Sequence, residues 1–168
     1  MELTDAKKQF IGAWGSFGSN WGINRTMAQI HALLLVSSQP LSADEVMQEL
    51  NISRGNANMN LRELINWGLI ERVVVPGERR EFFTAEKDIW VVARTIIKER
   101  KKRELEPMLK FLDSISTVQK GGTEEERAAF EKTMKDIRKF GDHANQSLDN
   151  IIKADENWFV GTIMKLFR

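Results

Sequence analysis

The residues of this chain best suited to recognition chemistry crowd between Ser53 and Asn66. An asparagine side chain carries a donor and an acceptor that match an adenine edge, and an arginine pairs bidentately with guanine. Arg54, Asn56, Asn58 and Arg62 supply both types, Met59 sits among them, and Gly55 lets another backbone come close. Double-stranded DNA, read through its major groove, is the partner this set suits. A second basic pair, Arg79 and Arg80, suits phosphates or a minor groove, where guanidinium groups add affinity and salt dependence. Ser42 and Ser53, at two helix starts, complete the candidate DNA-contact set. The plainer alternatives are a solvated helix face and an ordinary charged hairpin, because Glu78 and Glu81 flank the two arginines.

Other chemistries find little support. The chain has no cysteine, which removes disulfides, thiolate metal sites and cysteine nucleophiles and fits a reducing cytoplasm. Its two histidines, His31 and His143, fall in separate helical segments with no H-x-x-x-H pair, so neither a metal nor any other cofactor is expected. A core or surface role suits both better. No Gly-rich phosphate loop and no serine, histidine and acid in a nucleophile context occur, so an enzyme is not expected. Trp14, Phe17 and Trp21 could line a cage for a quaternary ammonium ligand, but aromatic residues at helical spacing more often form a core or an interface.

The elements that must position the recognition residues lie between Leu41 and Glu86. Ser42 starts a helix whose capping box closes at Glu45, with Val46, Met47 and Leu50 inward. After a tight Asn51-Ile52-Ser53 turn, Ser53 caps a second helix that ends at Gly68. Ala57, Leu61, Leu64 and Gly68 recur at i, i+4, i+7 and i+11, one stripe facing a core. At about 100° per residue, the opposite side carries Gly55, Met59, Arg62 and Asn66, flanked by Asn56, Asn58 and Glu63. Leu69-Ile70 with Val73 to Val75, then Glu81 to Thr84, read as two strands joined at Pro76-Gly77. This order predicts a mainly α fold with a small β-hairpin wing: a winged helix-turn-helix domain with added helical dimerisation elements.

The run from Ser53 to Leu64, with Trp67-Gly68-Leu69-Ile70, Val75 to Arg80 and the upstream Gly22 to Ile30, resembles the GbsR-like branch of the MarR family of transcriptional regulators. The resemblance covers roughly residues 10 to 105. It implies a dimeric winged-helix repressor, of a kind that in some members answers to choline or related osmoprotectants. Asn24 stands where that branch often has Pro, and His31 where a Tyr or Phe is expected. The small-molecule effector site that the resemblance implies would draw on Trp14, Phe17, Trp21 and His31.

Around this unit, Thr4 to Trp21 forms an aromatic helical stripe of Phe10, Ala13, Trp14, Phe17 and Trp21, weakened by Gly12, Gly15 and Gly18 and so dependent on packing. Arg25 to Val36 should be the most buried helix. Beyond the wing, Lys87 to Glu106 reads as a long helix ending in a charged block from Lys98 to Glu104, polar all round, and Pro107 should kink or restart it. The expected modules are therefore 1–106, the winged-helix domain with its N-terminal dimerisation helix, and 107–168, a helical dimerisation or effector module. In the second, Leu109 and Leu112 belong to one stripe, Gly121-Gly122 ends it, and Thr123 with Glu126 caps a helix. Phe130, Met134, Ile137, Gly141, Ala144, Leu148 and Ile151 then form a heptad-like seam, followed by an apolar tail with Trp158 and Phe159.

A homodimer is expected to join through Phe10, Trp14, Phe17, Leu109, Leu112, Phe130, Met134, Ile137, Leu148, Trp158 and Phe159, because these exceed what one small domain can cover. No apolar run approaches a membrane span and no signal peptide is evident, so a soluble cytoplasmic protein with no membrane partner is expected. Net charge is +1: residues 51–103 hold 12 basic and 7 acidic side chains, against 3 and 5 in 1–50 and 10 and 12 in 104–168. The surplus falls on the reader helix, wing and following helix, as electrostatic docking on DNA requires. The expected function is a homodimeric transcriptional regulator of the repressor type on a palindromic operator. The alternative is a winged-helix protein-interaction module.

Overall fold

The computed structural model describes residues 1–118 and 120–154. The chain divides into two compact units, Met1–Val92 and Ala93–Arg168. The division falls inside a helix, between Val92 and Ala93.

In the first unit, α1 (Leu3–Asn20) packs on α2 (Arg25–Val36). Glycine makes this possible. A Cβ at Gly18 would lie 2.6 Å from Ala28 Cβ, and one at Gly15 would lie 2.6 Å from Gln29 Cγ, so the missing side chains set the helix separation. The aromatic stripe is turned largely away from this contact, leaving Phe17 and Trp21 more than half exposed. Asn24 starts α2 by accepting the Met27 N–H at 3.1 Å, an N-cap that proline could not supply. The expected burial of α2 is met, with Ile30, Ala32 and Leu34 at the centre of the core.

The remaining elements are β1 (Leu41–Ser42), α3 (Ala43–Leu50), α4 (Arg54–Trp67), β2 (Ile70–Val73) and β3 (Phe82–Ala85). The sheet is antiparallel in the order β1-β3-β2, with Leu41 opposite Phe83 and Val73 opposite Phe82. The short β1 has too few residues for any periodicity, and the sequence did not reveal it. Val74, expected within the first strand of the hairpin, lies beyond the end of β2 and is almost fully exposed. Val46, Ala57, Leu61 and Leu64 meet Ile30 and Leu34 in the core with Phe82 and Phe83, so the inward stripe of α4 is as expected.

Helix α5 (Ile89–Arg100) runs into a π-helical turn (Lys101–Leu105) and then α6 (Glu106–Ile115), all in helical backbone geometry. The expected restart at Pro107 is replaced by this wider turn. Pro107 has no N–H to give and crowds the carbonyl four residues back, and a turn with i→i+5 bonding accommodates both defects.

In the second unit α6 packs against α7 (Glu124–Lys153), whose start is fixed by the Thr123 and Glu126 capping box. The charged block is not wholly uncovered, because Lys101 reaches Asp149 of α7 at 2.8 Å and is largely covered. Leu109 and Leu112 require a second correction. Both are buried within the chain's own second unit, where a Cβ on Gly141 would overlap Leu109 Cδ2, so they do not present a dimer surface. Phe130 and Ile137 remain partly exposed, while Met134 and Leu148 are half-buried. Trp158 and Phe159 lie outside the described residues. Among the described residues, no helix is long and apolar enough to cross a membrane.

Candidate nucleic-acid interface

Local chemistry sets the helix pair at the centre of the candidate interface. Ser42 N–H donates to Glu45 Oε2 at 2.7 Å, and Glu45 N–H donates back to Ser42 Oγ at 3.4 Å. The Ser42 hydroxyl, donating to Glu45 Oε2 at 2.6 Å, and then the Ser42 N–H hold the Glu45 carboxyl below its usual range, with Arg80 adding a smaller charge effect. Asn51 closes α3 in the left-handed region at φ 51°, where asparagine is tolerated better than most residues. Ser53 Oγ then accepts the Asn56 N–H at 3.3 Å to open α4, and Gly68 closes it at φ 74°.

Arg54, Asn58, Met59, Arg62 and Asn66 all lie on the exposed side of α4. Two candidates do not behave as the sequence implied. Ser42 is only 2% exposed and its hydroxyl is committed to Glu45, so it cannot reach a groove. Asn56 turns inward: its Nδ2 donates to Thr26 Oγ1 at 3.5 Å, and its Oδ1 accepts from Asn60 Nδ2 at 2.6 Å. Asn60 itself is buried, donating also to the Asn56 carbonyl at 2.9 Å. It is a structural polar residue that a reading by apolar periodicity misses.

Ser53 remains exposed, although its hydroxyl serves the cap. Arg54 bridges to Asp44 of α3 at 3.1 Å with both side chains largely in water, a pairing weak enough to yield to phosphate. Arg54, Asn58 and Arg80 share with Ser42, Ala43, Asp44 and Glu81 the lining of an open cleft of 210 Å³ between the helix pair and the wing.

In the wing, Glu78 N–H donates to the Val75 carbonyl at 3.1 Å around Gly77, whose φ of 85° needs glycine. Arg80 lies 5.4 Å over the Phe82 ring and 3.2 Å from Glu78, while Arg72 meets Glu81 at 3.1 Å. Among the described residues, Arg62 and Arg79 have no ion-pair partner.

The charge distribution also differs from expectation. Residues 51–92, the reader and wing, carry six basic and six acidic side chains, whereas 93–103 carry six basic and one acidic. The surplus therefore belongs to α5 and the π-helical turn, not to the reader surface.

The residues foreseen as an effector site separate into two groups. The Trp14 and His31 rings lie 6.3 Å apart, and Phe17 and Trp21 form their own exposed pair at 5.9 Å. His31 is 2% exposed, so it is a core residue and not a pocket wall, and its Nε2 has no hydrogen-bond partner among the described residues. Burial, assisted by the charge of Lys87, pushes its pKa down to about 4. The sequence also gave no sign of Lys87, whose Nζ donates to the Leu34, Leu35 and Ser37 carbonyls at the end of α2.

A capped helix pair, a two-stranded wing and a polar outer face on the second helix define the winged helix-turn-helix class. Residues 21–81 match the model of the MarR family. Over 76 residues the chain is 32% identical to the HTH-type transcriptional regulator MmpR5 of Mycobacterium tuberculosis, a match covering 45% of this chain and 46% of that protein. The chain thus matches about half of that relative's length. A solved structure titled "Crystal Structure of a transcriptional regulator" shares the fold at a TM-score of 0.66 and 18% identity, covering 88% of this chain and 95% of that one.

Proposed function

We propose that the protein is a DNA-binding transcription regulator of the GbsR-like branch of the MarR family, a cytoplasmic homodimeric repressor acting on a palindromic operator. The observation that carries this reading is the exposed face of α4, which presents Arg54, Asn58, Met59 and Arg62 and of which Arg54 and Asn58 share an open cleft with Arg80 of the wing. In a two-fold dimer, two such helices meet successive major grooves about 34 Å apart. The exposed Phe17 and Trp21 of α1 and the partly exposed Phe130 and Ile137 of α7 support self-association, because apolar surface of this kind favours burial. Repression and response to a small-molecule effector rest on the family resemblance.

One observation favours a second reading, a winged-helix module that contacts protein. The unit Met1–Val92 carries nine basic and eleven acidic side chains, an unusual balance for a surface that must attract phosphates. Selection from random duplex DNA at low salt, followed by titration with salt, separates the two. Recovery of a palindrome whose binding weakens steeply with salt supports the regulator, and failure to retain any duplex favours the protein-contact module. Sedimentation of the same sample decides the oligomeric state, a monodisperse monomer being the outcome that sinks the dimer.

A further inference from the structure

Met59 is out of place on a surface that has only to be soluble. It is 59% exposed in the middle of α4, among Asn58, Arg62 and Asn66, and contributes little to the core. A lone exposed apolar side chain is ordinary. This one coincides with a second anomaly one helical turn earlier. Gly55 lowers the helix propensity of α4 relative to alanine, yet it has ordinary helical geometry, and a Cβ built there meets nothing within 4 Å. The fold therefore does not require glycine at this position. A partner that comes close would.

Helical side chains lean toward the N-terminus, so the flexible thioether of Met59 is directed back along the surface that Gly55 leaves bare. Together the two residues make a shallow apolar spot bordered by the hydrogen-bonding groups of Asn58 and Arg62. In a major groove, the one apolar feature on a base edge is the 5-methyl group of thymine. Resting on the reading of α4 as the groove-entering helix, we propose that Met59 is a specificity-determining residue that packs against a thymine methyl in each half-site, with Gly55 giving the clearance for that approach.

The test uses the full chain and an operator selected from random duplex DNA, in which each thymine is replaced in turn by deoxyuridine, which removes only the methyl group. Wild-type protein should lose about fourfold in affinity at one position per half-site, the effect of one buried methyl group. Met59→Ala should bind the thymine and deoxyuridine duplexes equally, with unchanged melting because the residue is exposed. Gly55→Ala should weaken binding to both duplexes alike. If no thymine position is sensitive, or if Met59→Ala keeps the full thymine preference, the proposal is overturned while DNA binding stands. If the wild-type protein retains no duplex at low salt, the reading of α4 as a groove reader falls and the proposal with it.

Discussion

Lys87 Nζ donates to the Leu34 carbonyl at 2.6 Å, joining the residue that follows the wing to the end of α2, 53 positions earlier. With the Leu35 and Ser37 carbonyls also within 2.9 Å, one ammonium group satisfies three acceptors that the helix end leaves open. Lys87→Met keeps the aliphatic stem and removes the donors. It should lower stability by about 1 kcal/mol, the value of a cation at a partly exposed helix C-terminus, and thermal melting reads the change directly. An unaltered melting temperature would show that water replaces the ammonium without cost.

His31 makes stability depend on pH. Its folded pKa of about 4 lies below the ordinary 6.5, so protonation favours the unfolded chain. The contribution is complete above pH 6.5 and is lost as pH falls from there toward 4. By pH 4.5 the loss should be on the order of 2 kcal/mol. His31→Phe should flatten the melting profile between pH 7 and 5, and a slope equal to wild type would assign the dependence to other groups.

The glycines of α1 make opposite predictions. A Cβ at Gly18 would press on Ala28 Cβ at 2.6 Å, and neither methyl can rotate away, so Gly18→Ala should destabilise by about 1–3 kcal/mol. At Gly12 a Cβ meets nothing within 4 Å, and Gly12→Ala should stabilise by roughly 0.5–1 kcal/mol through helix propensity. Denaturant midpoints of the two variants should move in opposite directions. Movement in the same direction would contradict the packing of α1 on α2 through its glycine face.

Arg62 and Arg79 should separate base reading from phosphate contact. Arg62→Ala, on the exposed side of α4, should cost about 1–3 kcal/mol in binding to a selected operator at unchanged melting temperature. Arg79→Ala in the wing should weaken binding to most sequences and lower the salt slope by about one. Equal loss on operator and random duplex for Arg62→Ala would remove it from the base-reading set.

What the sequence revealed was local. The Ser42 with Glu45 and Thr123 with Glu126 caps involve residues three apart, and Ala57, Leu61 and Leu64 recur at the helical period, so both could be read from neighbours alone. Asn60 could not. Its burial depends on Asn56, which in turn faces Thr26 of another helix, and a polar residue gives no apolar signal. The glycine face of α1 was hidden for a related reason, since an absent side chain shows its purpose only beside Ala28 and Gln29. For Leu109 and Leu112, periodicity marks a face to be covered without naming the cover, which is α7 of the same chain and not a second subunit. The neutral charge of the reader domain is hidden within residues 51–103, because the last eleven of them hold the whole surplus.

The π-helical turn at Lys101–Leu105 has a bearing on length variation in this chain. Such a turn holds one extra residue within an α-helix, so excising one residue from it restores α-helical bonding while the side chains on either side keep their faces. Lys101 meets Asp149 and Leu109 meets Gly141 on the same helix, α7. After the excision the Leu109 and Leu112 stripe still faces α7, whereas loss of one residue within α6 itself turns every later side chain about 100° around the axis. The turn is therefore the place where this helix tolerates a one-residue change of length, provided Lys101 keeps its reach to Asp149.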